Sequence, residues 1–158
     1  MAAIALENFI KMNSSFVNEQ YKAVVGIFVL NNYIFQELEK HLMTYGLTYA
    51  QFNILRILKG QYPTGVPLPV FKERMLHKQS DVSRLVDRLV ALDLVEKTPH
   101  ETNKRKMYVH LTDSGMKLIE SIDIRSDDFK SILKNLPEKQ VVHFNQIVSD
   151  IIDSMPRD

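Results

Sequence analysis

Between Gln79 and Leu92 the chain sets Ser80, Asp81, Ser83, Arg84, Asp87 and Arg88 opposite an apolar stripe of Val82, Leu85, Val86, Leu89 and Val90. The apolar residues recur at i, i+3, i+4, i+7 and i+8, which is one face of an α-helix. Hydroxyls, carboxylates and guanidinium groups on the other face form a row of hydrogen-bonding groups on a rigid rod. A helix that enters the roughly 12 Å major groove of DNA needs this division: one face for its own domain, one for base edges and phosphates. Farther on, LVEKTP and MYVHL carry β-type residues, and the polar stretch Glu101 to Lys106 between them ends in Asn103-Lys104-Arg105-Lys106. That is a hairpin with a basic tip. Lys or Arg at such a tip suits phosphates or the narrow minor groove. The helix by itself also fits a solvated surface face, because amphipathic helices with two arginines are common. A short helix before it and a basic hairpin behind it move the reading toward nucleic acid. A winged fold used for protein contact stays open.

Other chemistry finds little to stand on. His41, His77, His100, His110 and His143 form no short-spaced ligand pair, and there is no H-E-x-x-H. The chain has no cysteine, so disulfides, thiolate metal sites and cysteine redox sensing are excluded. No G-x-S-x-G elbow or phosphate-binding glycine loop is present. Neither an enzyme, a metal nor a cofactor is expected. Tyr33 and Tyr45 could line a ligand pocket, although lone aromatics on a long helix usually pack.

The elements that must position these groups are mainly helical. A short helix is expected over about residues 4–13, then a long one from Asn18 to Tyr45, stopped by Gly46. Thr48 and Gln51 read as a capping box for the next helix, whose apolar face is Phe52, Leu55, Ile57 and Leu58 and which Gly60 closes. Gln61 to Pro67 holds two prolines and a glycine and reads as a loop. Pro69 to Leu76 forms a short helix with proline in its first turn. The helix from Gln79 has either Ser80 or Lys78 at its N-cap. Thr112 caps a helix from Asp113 to about Leu133, and Pro137 starts the last one, which runs to about Ser154.

The charge is uneven. The formal net charge is +1, but residues 72–112 hold nine Lys/Arg against six Asp/Glu, while residues 113–158 hold six against nine. A basic middle beside an acidic end favours phosphate locally without making the whole chain adhesive. Hydrophobic residues make up 45% and charged residues 25%, which is ordinary globular usage. The longest apolar run, Ala23 to Leu30, is far short of the roughly 20 residues a membrane helix needs. The opening residues carry Glu7 and Asn8 where a signal peptide is apolar. A cytoplasmic protein with no membrane partner is expected.

The segment HKQSDVSRLVDRLVALDLVEKTPHETNKRKMYVHLTDSG, from His77, resembles the recognition helix and wing of the MarR (multiple antibiotic resistance regulator) family. GLTYAQFNILRIL upstream resembles that family's second helix. The resemblance implies a mainly α fold with a small β-hairpin wing, a winged helix-turn-helix with long terminal dimerisation helices. It also implies an obligate homodimer on a pseudo-palindromic operator in double-stranded DNA. Residues 46–112 would form the DNA-binding region, and residues 1–45 with 113–158 the dimerisation region. Lys78, Gln79, Ser80, Asp81, Ser83, Arg84 and Arg88 are then the candidate DNA contacts on the helix, and Lys104, Arg105 and Lys106 those on the wing. Family wings usually carry Asp-x-Arg. Here the triplet is Asn103-Lys104-Arg105, so Arg105 keeps its place without the acid that steadies it. The family also implies repression relieved by a small, often aromatic or anionic, effector.

The sequence supports a dimer independently. Residues 23–30 are apolar around nearly the whole helix, and the last helix carries Val141, Val142, Phe144, Ile147, Val148, Ile151, Ile152 and Met155, wider than one stripe. Two over-apolar ends on a small chain are most simply buried against a copy of itself. The alternative function is a winged-helix dimer that serves protein interaction and binds DNA only weakly.

Overall fold

The computed structural model describes residues 6–11, 13, 16–75, 81–99, 106–122 and 133–156. The chain divides into two compact units, Met1–Ile122 and Asp123–Asp158.

The first unit begins with a four-residue helix, α1 (Leu6–Phe9), shorter than the helix expected over 4–13. It lies along α2 (Glu19–Met43), where Leu6 meets Gly26 and Lys22 Nζ lies 2.9 Å from Glu7 Oε1. The hydrogen bond from Lys22 holds the Glu7 carboxyl below its ordinary value. The Asn18 side chain caps α2 by accepting from the Tyr21 amide at 2.7 Å. At the other end Gly46 takes φ +71°. Leu47 N–H then reaches Leu42 O and Gly46 N–H reaches Met43 O, a Schellman closure.

The capping box at Thr48 and Gln51 forms as the sequence indicates and starts α3 (Tyr49–Lys59). This helix is central to the unit: Phe52, Ile54, Leu55, Ile57 and Leu58 are all buried, with Gln51 and Asn53 among them. Leu42, Phe71, Val86, Leu89 and Val109 complete the same core.

The stretch read as loop up to Pro67 ends instead in a short strand, β1 (Val66–Pro67), antiparallel to a later strand. The sheet is thus three-stranded, in the order β1, β3 (Met107–Leu111), β2 (Val95–Pro99), rather than a lone hairpin. Two residues are too few to show a strand period, and proline at an edge gives no donor to reveal. After it come α4 (Leu68–Arg74), α5 (Val82–Ala91), β2 (Val95–Pro99), β3 (Met107–Leu111) and α6 (Asp113–Ser121).

Helix α6 is shorter than the helix expected to about Leu133. Its last residue is Ser121, and Ile122 is extended and buried in the core. Ser121 Oγ donates to Leu118 O at 2.7 Å, and Tyr45 Oη donates to Ser121 O at 3.3 Å. A serine that bonds its own helix backbone and a tertiary donor on a terminal carbonyl both favour an end here. Residues 123–132 lie outside the described residues. In the second unit, α7 (Glu138–Ser154) starts after Pro137 and ends where expected.

Candidate nucleic-acid interface

Helix α5 is anchored by its apolar face. Val82, Val86 and Leu89 are buried and Leu85 packs against the core. Each such side chain contributes roughly 1.5–3 kcal/mol, whereas exposed ion pairs contribute about 0–1 kcal/mol. Burial therefore fixes the helix, and its polar face is not needed to hold it. That face carries Ser83, Arg84, Asp87 and Arg88, all exposed.

The N-cap is Asp81, not Ser80 or Lys78. Its Oδ1 accepts from Arg84 N–H at 3.3 Å, and its Oδ2 lies 3.4 Å from Arg84 Nε. A carboxylate suits this place because it satisfies an orphan donor and meets the positive end of the helix dipole. It also steers the Arg84 guanidinium along the exposed side of the first turn. At the far end Asp93 is left-handed, φ +58°, and Leu94 N–H and Asp93 N–H close on Leu89 O and Val90 O. Thr112 Oγ1 donates to Asp93 O at 2.7 Å while accepting from Gly115 N–H at 3.0 Å. The L-T-D-S-G run is thus a clasp that ties the end of α5 to the start of α6.

The structure gathers Asp81, Ser83, Arg84 and Arg88 on one helix and sets Lys106, exposed, at the foot of β3. Lys78, Gln79, Ser80, Lys104 and Arg105 lie outside the described residues. Two further residues share this surface and were not among the candidates. Asp87 faces outward among them, and Lys97 of β2 binds it across to the sheet. A lone acid in a row of hydroxyls and guanidinium groups stands out until its partner, ten residues on, is seen beside it. On the other face of the sheet, Thr98 Oγ1 and His110 Nε2 are 2.9 Å apart.

Among the described residues no group of three His, Cys, Asp or Glu is arranged to hold a metal, and no helix is long and apolar enough to cross a membrane. A groove of about 430 Å³ runs along α2, lined by Gln36, Glu39, Lys40 and Met43, and neither Tyr33 nor Tyr45 is among its walls.

Two short helices leading into a hairpin of a three-stranded sheet define a winged helix-turn-helix fold. The MarR family model matches residues 45–106, which span the helix-turn-helix and the first strand of the hairpin. The HTH-type transcriptional regulator MgrA of Staphylococcus aureus is 29% identical over 108 residues, 68% of this chain and 71% of the relative. A MarR-like transcription regulator from Bacillus cereus superimposes with a TM-score of 0.78 at 16% identity, over 87% of this chain and 99% of that one. A mutant of E. coli MarR in complex with operator DNA gives a TM-score of 0.72 at 24% identity, over 87% and 99%. These two likenesses confirm the fold expected from the sequence.

Proposed function

We propose that this chain is a sequence-specific, homodimeric DNA-binding transcription regulator that works in the cytoplasm on a pseudo-palindromic operator. The observation that carries the reading is the exposed polar face of α5, set opposite its buried Val82, Val86 and Leu89. Ser83, Arg84 and Arg88 are the base-reading and phosphate-binding groups, and Lys106 with Lys104 and Arg105 supplies the wing. The relatives support it: MgrA is named as a regulator of transcription, and the MarR mutant is bound to its operator.

The dimer reading rests on apolar surface. On α2, Val24, Ile27, Phe28, Leu30, Tyr33 and Ile34 are exposed, and on α7 so are Val142, Phe144, Ile147, Ile151 and Ile152. So much apolar surface on one small chain calls for a partner. Residues 1–45 and 113–158 are the dimerisation region, and residues 46–112 the DNA-binding region. The operator reading implies repression by occlusion. A small aromatic or anionic effector relieves it only if it binds the DNA-incompetent shape better.

The test is selection of duplexes by the purified protein from a random pool of roughly 30 base pairs, enough for two half-sites about one helical turn apart. Enrichment of an inverted repeat is the expected result. No enrichment, with comparable retention of all sequences, would favour a protein-interaction module, the reading that the near-neutral charge of +1 supports.

A further inference from the structure

We propose that Asp87 and Lys97 form a specificity-determining strut that fixes the wing to the recognition helix, so that both DNA-contacting elements engage as one body. The inference rests on the DNA-binding reading and names two positioning residues within that site. Successive helix residues turn by about 100°, so Asp87 falls between Ser83 and Arg84, in the middle of the exposed face of α5. A bare carboxylate there would repel phosphate. Instead Lys97 Nζ donates to Asp87 Oδ1. The Lys97 side chain is only 26% exposed, while that of Asp87 is 63% exposed. The lysine thus lies over the helix rather than extending into solvent, and its charge cancels the acid where DNA would sit.

The placement in β2 gives the pair its leverage. Strand side chains alternate, so Lys97 shares a face with the buried Val95, and Thr98 takes the other. On that other face Thr98 meets His110, whose ring lies where a side chain on Gly65 would have to go. Lys97 is paired with the fully buried Val109 of β3. The strand is therefore fastened on both faces, within two residues of its end at Pro99. Exposed ion pairs add little stability, so orientation is the property this one can control.

The experiment titrates the selected duplex and a scrambled duplex of equal length at one salt concentration. The proteins are wild type, Asp87→Ala, Lys97→Met, Lys97→Arg and the exchange Asp87→Lys with Lys97→Asp, with thermal unfolding alongside. The strut predicts that Asp87→Ala and Lys97→Met each lower the ratio of selected to scrambled affinity by about tenfold, and that the exchange restores most of it. Lys97→Arg should keep the ratio, and thermal midpoints should hardly move. Simple charge effects predict something else: Asp87→Ala tightens both duplexes, Lys97→Met weakens both, and the ratio stays constant. That result, or an exchange no better than the single variants, overturns the strut. Failure of the DNA-binding reading looks different, because the wild type itself would then not distinguish the duplexes.

Discussion

In the proposed function, Arg84 is the residue on which base reading would most directly depend. Asp81 holds it at the start of α5, where a guanidinium can reach a guanine edge or a phosphate. Arg84→Ala should cost roughly 1–3 kcal/mol on the selected duplex and much less on unrelated DNA. Equal losses on both would make it a phosphate contact, and paired titrations distinguish the two. Gly115 is a structural counterpart. A Cβ there would lie 1.9 Å from Leu94 O, the carbonyl that accepts from Thr112 N–H at 3.2 Å. Backbone cannot yield there without opening the clasp that ties α5 to α6. Gly115→Ala should destabilise by at least about 1–3 kcal/mol, as overpacked sites do, and thermal unfolding reads it. A midpoint equal to wild type would show that the clasp is loose. Single residues were legible from sequence where the signal was local: Thr48 with Gln51, Gly46 and Thr112 all cap as their types suggest. Asp81 was not singled out as the cap because Ser80 next to it is an equally good capping type.

At the scale of elements, periodicity was informative where a helix is long and one-sided. The apolar stripe of α5, apart from Val90, which is exposed, and the extent of α7 could be read directly. Tertiary contacts decided the rest. β1 exists because Val66 and Pro67 pair with Val109 and Tyr108, forty residues away in sequence by rough count, and two residues carry no pattern of their own. The end of α6 is set by Ile122 entering the core, although Met116, Ile119 and Ile122 continue a helical spacing. The Asp87–Lys97 contact was hidden for the same reason: each half is unremarkable on its own element. The wing yields a separate prediction. If its tip meets phosphates, Lys104→Ala with Arg105→Ala should weaken binding to every duplex. It should also lower the slope of log affinity against log salt by about 0.9 for each lost contact. An unchanged slope would remove the wing from the interface.

For the whole molecule, the two over-apolar ends were visible in the sequence, and the apolar surface they expose in a single chain is what the proposed second copy would cover. In solution the protein should be a dimer at micromolar concentration, and Ile147→Glu with Ile151→Glu should dissociate or unfold it. Sedimentation equilibrium decides this, and a well-folded wild-type monomer would contradict it. A two-fold protein should carry its recognition helices about 34 Å apart on the duplex, one turn of DNA. Sequence specificity and two-fold symmetry are thus one claim seen from two sides. It is tested most directly by titrating the wild-type protein against its selected inverted repeat and a scrambled duplex of the same length, at one salt concentration. The account predicts that two subunits bind the repeat at least about a thousandfold more tightly than the scrambled sequence. Equal affinity for the two duplexes would contradict it.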